Sequence, residues 1–341
     1  MRRLVAIGSI TYPPAPMTLT QLRYLVAIAD SGLNITLAAA KVHATQPGLS
    51  KQLKQLEDEL GFILFTRRAR SLEAVTPAGE QVIAHARNLL AEANNIRALA
   101  ANLRRDTQGE LHIATTHTQA RYALPLALAT LNQQFPQVAV HLTPGGDVES
   151  LARLARGEAE IAIVSSAGAA PAADLALPVY RWERVVLVPR AHALAALGRR
   201  LTLADLAAYP LVSYESSREP ESSLRRAFSA AGLEPSLAVT ARDADLIKTY
   251  VRAGFGVGIL AEMAITPDDV DLVVLPADGL LPTCTTWLLL RRDRVLRDYT
   301  QALITTLLPV ARAGARLLDR IISGWLNDVI KATTPSGTRC V

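Results

Sequence analysis

The sequence predicts an α/β multi-domain chain: a helical head with a short β-rich insert, one long helix, then a two-lobed α/β body. Three observations predict it. Helical periodicity runs over residues 20–105 with a single break, a heptad seam closes that stretch, and beyond Thr107 short apolar runs alternate with helical patterns. A chain of 341 residues, half hydrophobic and one-fifth charged, has room for two or three units with large cores.

The first 16 residues, MRRLVAIGSITYPPAP, set Arg2 and Arg3 before a short apolar run. Pro13, Pro14 and Pro16 follow that run where an export signal would carry a small-residue cleavage site. A disordered extension over 1–16 is expected, with Met17 as the effective start. Leu22, Leu25, Val26 and Ala29 then share a helix face that Gly32 ends. Asn34 caps a second, alanine-rich helix over 35–42. Thr45 caps a third, where Pro47 is tolerated in the first turn. Leu49, Leu53, Leu56 and Leu60 make its buried stripe and leave Gln46, Pro47, Ser50, Lys51 and Lys54 on the other face.

Gly61 ends that helix, and FILFTRRARSLEAVTPAG follows. Its β-branched and aromatic residues, with Arg67, Arg68 and Arg70 between them, suit a two-stranded wing. Pro77 opens a long helix in which Val82, Ala86, Leu89, Ala93, Ile96, Ala100 and Leu103 step by four and three. Such a seam marks a helix that pairs with another helix. In the body, GELHIATT, VAVHLTPGG, IAIVSS, RVVLVPR, LAVTA, GVGIL, LVVLP and TTWLLLRR read as buried strands separated by helices. Alternation of this kind implies parallel sheets covered on both faces, and the length implies two lobes. The tail beyond 294 reads as helical, with a disordered end from Thr333.

The charge balance, 36 Lys+Arg against 31 Asp+Glu, permits a nucleic-acid partner without arguing for one. Cys284 and Cys340 form neither a zinc spacing nor a disulfide framework, which fits a reducing compartment. No apolar stretch has the length of a membrane span. A cytoplasmic protein without metal or cofactor is expected.

Two constellations carry chemistry. The head has the logic of a winged helix-turn-helix: one apolar helix face packs inward and the other offers short donors and cations to a major groove. Gln46 and Ser50 would meet base edges or phosphates, while Lys51, Lys54, Arg67, Arg68 and Arg70 would neutralise phosphates. The same pattern also fits a plain three-helix bundle with a solvated face. The second constellation is ATTHTQARYAL at 114–124, where hydroxyls and backbone N–H groups converge at a strand end. Neutral donors at a helix start suit an anion; a threonine-capped turn explains the pattern as well. His117 has no Asp, Glu or Cys within local reach for a metal, and no nucleophile has a partnered base.

The stretch LAAAKVHATQPGLSKQLKQLEDELGFILFTRR, with VTPAG after it, resembles the DNA-binding domain of LysR-type transcriptional regulators. The resemblance implies that Thr45, Gln46, Pro47, Ser50, Lys51 and Lys54, with the wing arginines, face double-stranded promoter DNA. It also implies a dimer through the linker helix, assembled into a homotetramer, with RNA polymerase as a candidate further partner. ATTHTQARYALP, GEAEIAIVSS, PVYRWERVVLVPRAHALA, YPLVSYE and DADLIKTYVRAGFGVGILAEMA are similar to the CysB branch, which regulates sulfur assimilation.

That similarity implies a two-lobed, periplasmic-binding-protein-like α/β effector domain. Its domain plan is a winged head at 17–76, a linker helix at 77–106, lobe I at 107–180 and 283–325, lobe II at 181–282 and a tail at 326–341. The implied effector is sulfate, thiosulfate or an acetylserine-like molecule, met by Thr116, Thr118, Gln119, Ser165 and Trp182. One departure stands out. Where the branch has a threonine on the second lobe, ESSREPESS aligns Glu219, a carboxylate that would repel an oxyanion. Either Ser216, Ser217 or Arg218 supplies that contact, or the ligand differs and carries an amine. GFGVG at 254–258 follows a helix and lacks the dinucleotide spacing, so a turn into a strand is expected. Cys284 is read as a packed thiol. The expectation is a regulator without enzymatic activity; a solute-binding protein would need an export signal and no DNA-binding head.

Overall fold

The computed structural model describes residues 17–68 and 71–308. The expected extension at 1–16, the wing residue Arg70, the chain beyond 308 and Cys340 lie outside the described residues. Two compact units result, one from the residues up to Arg104 with Asp293–Val295, the other from the rest.

The first unit holds α1 (Leu19–Ala29), α2 (Ile35–Lys41), α3 (Gln46–Leu60), the antiparallel pair β1 (Phe65–Arg68) and β2 (Ser71–Val75), and α4 (Pro77–Leu103). Its helix starts are set by capping chemistry. Thr18 and Gln21 form a reciprocal capping box, and Asn34 and Thr45 accept from Leu37 N–H and Gly48 N–H. Leu49, Leu53 and Leu56 of α3 are buried against Leu22, Leu25 and Ile28 of α1 and Ile83 of α4, each burial stabilising by about 1.5–3 kcal/mol. VTPAG has a mechanical explanation. Thr76 caps α4 through Gly79 N–H at 2.9 Å and donates to Ile63 O at 3.0 Å, tying the helix start to the wing. A Cβ on Gly79 would lie 2.2 Å from Leu64 O, so only glycine fits there.

The second unit contains two five-stranded sheets. The chain runs through β3 (Gly109–Thr115), α5 (Leu124–Gln134), β4 (Val138–Pro144), α6 (Asp147–Arg156), β5 (Ile161–Ser166) and β6 (Leu175–Trp182). It crosses into β7 (Arg184–Pro189), α7 (Leu203–Ala207), β8 (Leu211–Tyr214), α8 (Ser223–Ala230), β9 (Leu237–Ala241), α9 (Ala244–Arg252), β10 (Val257–Ala261) and β11 (Leu272–Pro276). β12 (Cys284–Leu290) and α10 (Asp298–Leu307) return it to the first lobe. The sheet orders are β4-β3-β5-β12-β6 and β11-β7-β10-β8-β9.

The sheets are mixed, which corrects the expectation of parallel ones. β12 re-enters the first lobe from the second and inserts antiparallel between β5 and β6, and β7 is antiparallel to both β10 and β11. Strand direction leaves no mark on a buried apolar run, because both faces are covered either way. Leu111, Ile113 and Leu288 pack under α5 and α10 on one face, while Ala162, Val164 and Leu289 meet α6 on the other. Two strands escaped the sequence reading. β6 contains Pro178, which argues against a central strand, and the structure puts β6 at the sheet edge with a register shift opposite it. β8 is only four residues long. GFGVG is the expected turn: Gly256 has φ +149°, and a Cβ there would lie 2.1 Å from Pro210 O. Among the described residues no helix is long and apolar enough to cross a membrane.

Candidate functional site

On the head, α3 presents Thr45, Gln46, Pro47, Lys51 and Lys54 as exposed residues and Ser50 as half-buried, all opposite the leucine stripe. Thr45 spends its hydroxyl oxygen on Gly48 N–H, so it shapes the helix start. Arg68 is exposed, 3.9 Å from Glu73. Arg67 has a second employment that the sequence did not reveal. Its guanidinium meets Glu57 at 3.1 Å, and the other oxygen of this buried carboxylate accepts from Leu64 N–H at 2.9 Å. Glu57 thereby pins the end of α3 to the wing, so removing Arg67 would leave a buried carboxylate short of a partner.

In the second unit a cleft of about 800 Å³ lies between the lobes. Thr116, Thr118, Gln119, Ser165, Trp182 and Glu219 all line it. His117, the ring that first raised a metal, does not belong to its lining. The first wall is built at the exit of β3. Pro125, inside the first turn of α5, has no N–H to give, and the turn before it widens into a π-helical stretch over Gln119–Ala123. That widening turns Gln119 inward, to 1% exposure.

Gln119 Nε2 donates to Ser165 Oγ and to Thr286 Oγ1, both at 3.1 Å, and its Oε1 accepts from the Tyr180 hydroxyl. Trp182 Nε1 also donates to Thr286 Oγ1, at 3.0 Å. With two donors aimed at it, the Thr286 hydroxyl gives its own proton to Ser165 Oγ, 3.0 Å away. Ser165 then accepts twice, and its O–H is left for the cleft. Thr118 donates to Tyr214 Oη at 3.3 Å, which also accepts from Ala261 N–H at 3.2 Å, so the Tyr214 proton is free as well. Thr116 accepts from Gln119 N–H, and its own proton has no partner among the described residues. Within this network, among the described residues, three hydroxyl protons, on Thr116, Ser165 and Tyr214, therefore remain to be accepted.

This accounting redefines two expected contacts. The Gln119 amide is fully consumed within the protein and orients the ring around it, and Trp182 has spent its N–H on Thr286. Thr286, Tyr180 and Tyr214 are the members that sequence reasoning missed. The only signal of Thr286 is the run TTWLLL on the strand that returns to pair with IAIVSS.

The second wall is charged. Arg184, Arg218, Arg242, Glu215 and Glu219 line it, with Asp147 facing them from the start of α6. Arg242 pairs with Glu215 at 2.8 Å, while Arg184 donates to Ser223 Oγ at 2.6 Å and Pro282 O at 3.1 Å. Ser217 is buried and shares its hydroxyl with Ser213 at 3.0 Å, which leaves Ser216 and Arg218, both exposed beside Glu219, as the candidate contacts of that loop. Burial raises the Asp147 carboxyl to about 6, against a lowering by the Ser165 backbone, and its Oδ1 has no partner among the described residues. Burial also raises the Cys284 thiol, which is packed against Trp182 and Ala261 and stays protonated.

With this geometry in view, comparison with known proteins is direct. Residues 19–80 match the bacterial regulatory helix-turn-helix protein model of the lysR family, and residues 104–312 match the LysR substrate binding domain. The HTH-type transcriptional regulator CysB of Haemophilus influenzae is 42% identical over 283 residues, covering 83% of this chain and 87% of that protein. The HTH-type transcriptional regulator SsuR of Burkholderia cenocepacia is 37% identical over 92% of this chain and all of that protein. Among solved structures, the cofactor-binding domain of the Cbl transcriptional regulator aligns with TM-score 0.54 at 35% identity, over 59% of this chain and 88% of that one. Full-length CbnR complexed with target DNA aligns with TM-score 0.55 at 25% identity, over 85% and 99%. A wing-bearing head and a two-lobed cleft thus meet both family models in the same order, and the chain belongs to the LysR family of helix-turn-helix transcriptional regulators.

Proposed function

We propose that this regulator controls genes for sulfur assimilation or sulfur-source use, switched by a small sulfur-related oxyanion in the interlobe cleft. The observation that carries this reading is the set of three unspent hydroxyl protons on Thr116, Ser165 and Tyr214 around one cleft. Neutral donors already held in place bind an anion without reorganisation, and sulfate and thiosulfate offer only acceptors. The similarity to CysB and SsuR supports the same assignment. Effector binding alters DNA affinity only if it favours one arrangement of lobes or subunits over another. The protein acts in the cytoplasm as a dimer joined through α4 and assembled into a tetramer, with RNA polymerase as a further partner at the promoter.

One observation favours a second reading. Asp147, Glu215 and Glu219 bring carboxylates to the cleft, which suits an acetylserine-like effector whose amine meets them while its acid end meets the hydroxyls. A thermal-shift panel separates the two. Under the first reading sulfate or thiosulfate raises the melting temperature and Thr116→Ala abolishes the rise. A response confined to the amine-bearing compound selects the second, and a response only to a metabolite that is neither a sulfur oxyanion nor acetylserine-like overturns both.

The DNA face is proposed as Gln46, Pro47, Ser50, Lys51, Lys54 and the wing arginines, with Thr45 as its cap. A Ser50→Ala/Lys51→Ala variant should fold as the wild type yet lose specific promoter retardation. Its slope of log affinity against log salt should fall by about one for the missing lysine. Unchanged retardation at moderate salt would remove α3 from the interface.

A further inference from the structure

Away from the cleft, we infer that β3 and β4 carry a binding site for a late first-row divalent metal ion, Zn²⁺ first among them, on Glu110, His112 and His141. The parallel ladder sets His112 directly opposite His141, and their rings stack at 4.6 Å and 15°. Glu110 precedes His112 by two residues and so shares its sheet face, with Oε2 3.3 Å from His112 Nε2. One ligand atom from each of the three lies within 4.8 Å of the others. A tetrahedral ion with bonds of about 2.0–2.2 Å asks for donors about 3.3 Å apart, within reach of small side-chain rotations.

The donor set selects the metal. Two imidazoles and a carboxylate suit zinc, copper or nickel, whereas magnesium and calcium want oxygen alone. The side chains of Glu110 and His112 are 68% and 43% exposed, so an ion enters without opening the fold and keeps a water in its fourth position. The site also has mechanical consequences. β4 is an edge strand, and β3 runs directly into Thr116, about 13 Å further along the strand. A bound ion staples the sheet edge to the strand that carries the first wall of the cleft. Local sequence spacing hides the site, because the two histidines meet only through strand register.

The test uses the full chain with any affinity tag removed, titrated with ZnCl₂ alone by calorimetry. One ion per chain is expected, with His112→Ala and His141→Ala each weakening binding by about tenfold or more and Glu110→Gln, which keeps both imidazoles, weakening it by less. The Co²⁺-loaded chain should show a visible ligand-field band that the same substitutions remove. Zinc uptake that is absent from the wild type, or unchanged in stoichiometry and affinity in the His112→Ala/His141→Ala variant, overturns the site.

Discussion

The two walls of the cleft are built on different physics. The first is a ring of neutral groups, with Thr286, Gln119 and Trp182 buried to between 0 and 7% exposure and Ser165 and Tyr180 half-buried, in which nearly every lone pair and proton is already committed. The second is an exposed loop bearing Glu215, Arg218 and Glu219, and the lobe behind it adds an ion-pair scaffold to its apolar cores. Its scaffold is centred on Lys248, 4% exposed, which meets Asp269 at 3.0 Å, Ala264 O at 2.9 Å and Asp245 at 3.4 Å. Arg252 bridges Asp269 and Asp271 on the same side. A neutral, pre-satisfied wall defines the chemical class of ligand by the few protons it leaves over. A charged wall discriminates among members of that class by repulsion and attraction.

The contrast can be broken from either side. The largest effect is expected from Lys248→Ala. Removing one partner of a buried ion pair strands the other charge, at a cost of about 3–5 kcal/mol, and the remaining Arg252 contact puts this case near the lower figure. Asp269, held down to about 2 by the Thr266 backbone, Lys248 and Arg252 against the opposing effect of burial, should then titrate closer to the ordinary carboxylate range. Denaturant unfolding should show the loss above pH 4. An unchanged midpoint would mean that the ionic scaffold holds nothing. Next comes Thr286→Val, which keeps the shape of the first wall but leaves Trp182 N–H without its acceptor and Gln119 with one fewer. A loss of about 1–3 kcal/mol is expected by the same measurement, with weakened effector binding because the Ser165 proton is no longer directed into the cleft.

The difference between the walls also explains what was legible in the sequence. The leucine stripe on α3, the caps Asn34 and Thr45, the opening of α4 at Pro77, and the ATTHTQ turn are local signals. They depend on residues a few positions apart, and the structure presents them as the pattern implied. Thr286 and Tyr180 join the hydrogen-bonded ring behind Gln119, and Asp147 joins the cleft lining, only through strand order and lobe crossing, which periodicity does not encode. Strand direction failed for the same reason, since β12 looks like any buried strand until its partners are known. Glu219 was legible as a departure, yet its consequence was not. The loop keeps it at the cleft and uses Ser217 internally, so the carboxylate remains on the lining.

The finest test of the contrast is the pH dependence of effector binding, because Asp147 belongs to the first lobe but behaves like the second wall. Burial raises its carboxyl to about 6, compared with about 3.9 for an unperturbed aspartate. Between those values the folded protein holds a proton that the unfolded chain has released, so the contribution of Asp147 to stability falls as pH rises toward 6. The charge that appears above 6 repels an oxyanion, whereas the protonated carboxyl below 6 can donate to one. Sulfate has no titration of its own in this range. Its affinity should therefore rise by up to about tenfold as pH is lowered from 7.5 to 5, and Asp147→Asn should flatten the profile near the low-pH value. The same variant should melt higher than the wild type at pH 7.5 but not at pH 5. A profile of opposite slope, with affinity lost on acidification, is the signature of an amine facing an ionised Asp147. That outcome would move the effector from a bare oxyanion to an amino-acid-derived molecule while leaving the hydroxyl wall as described.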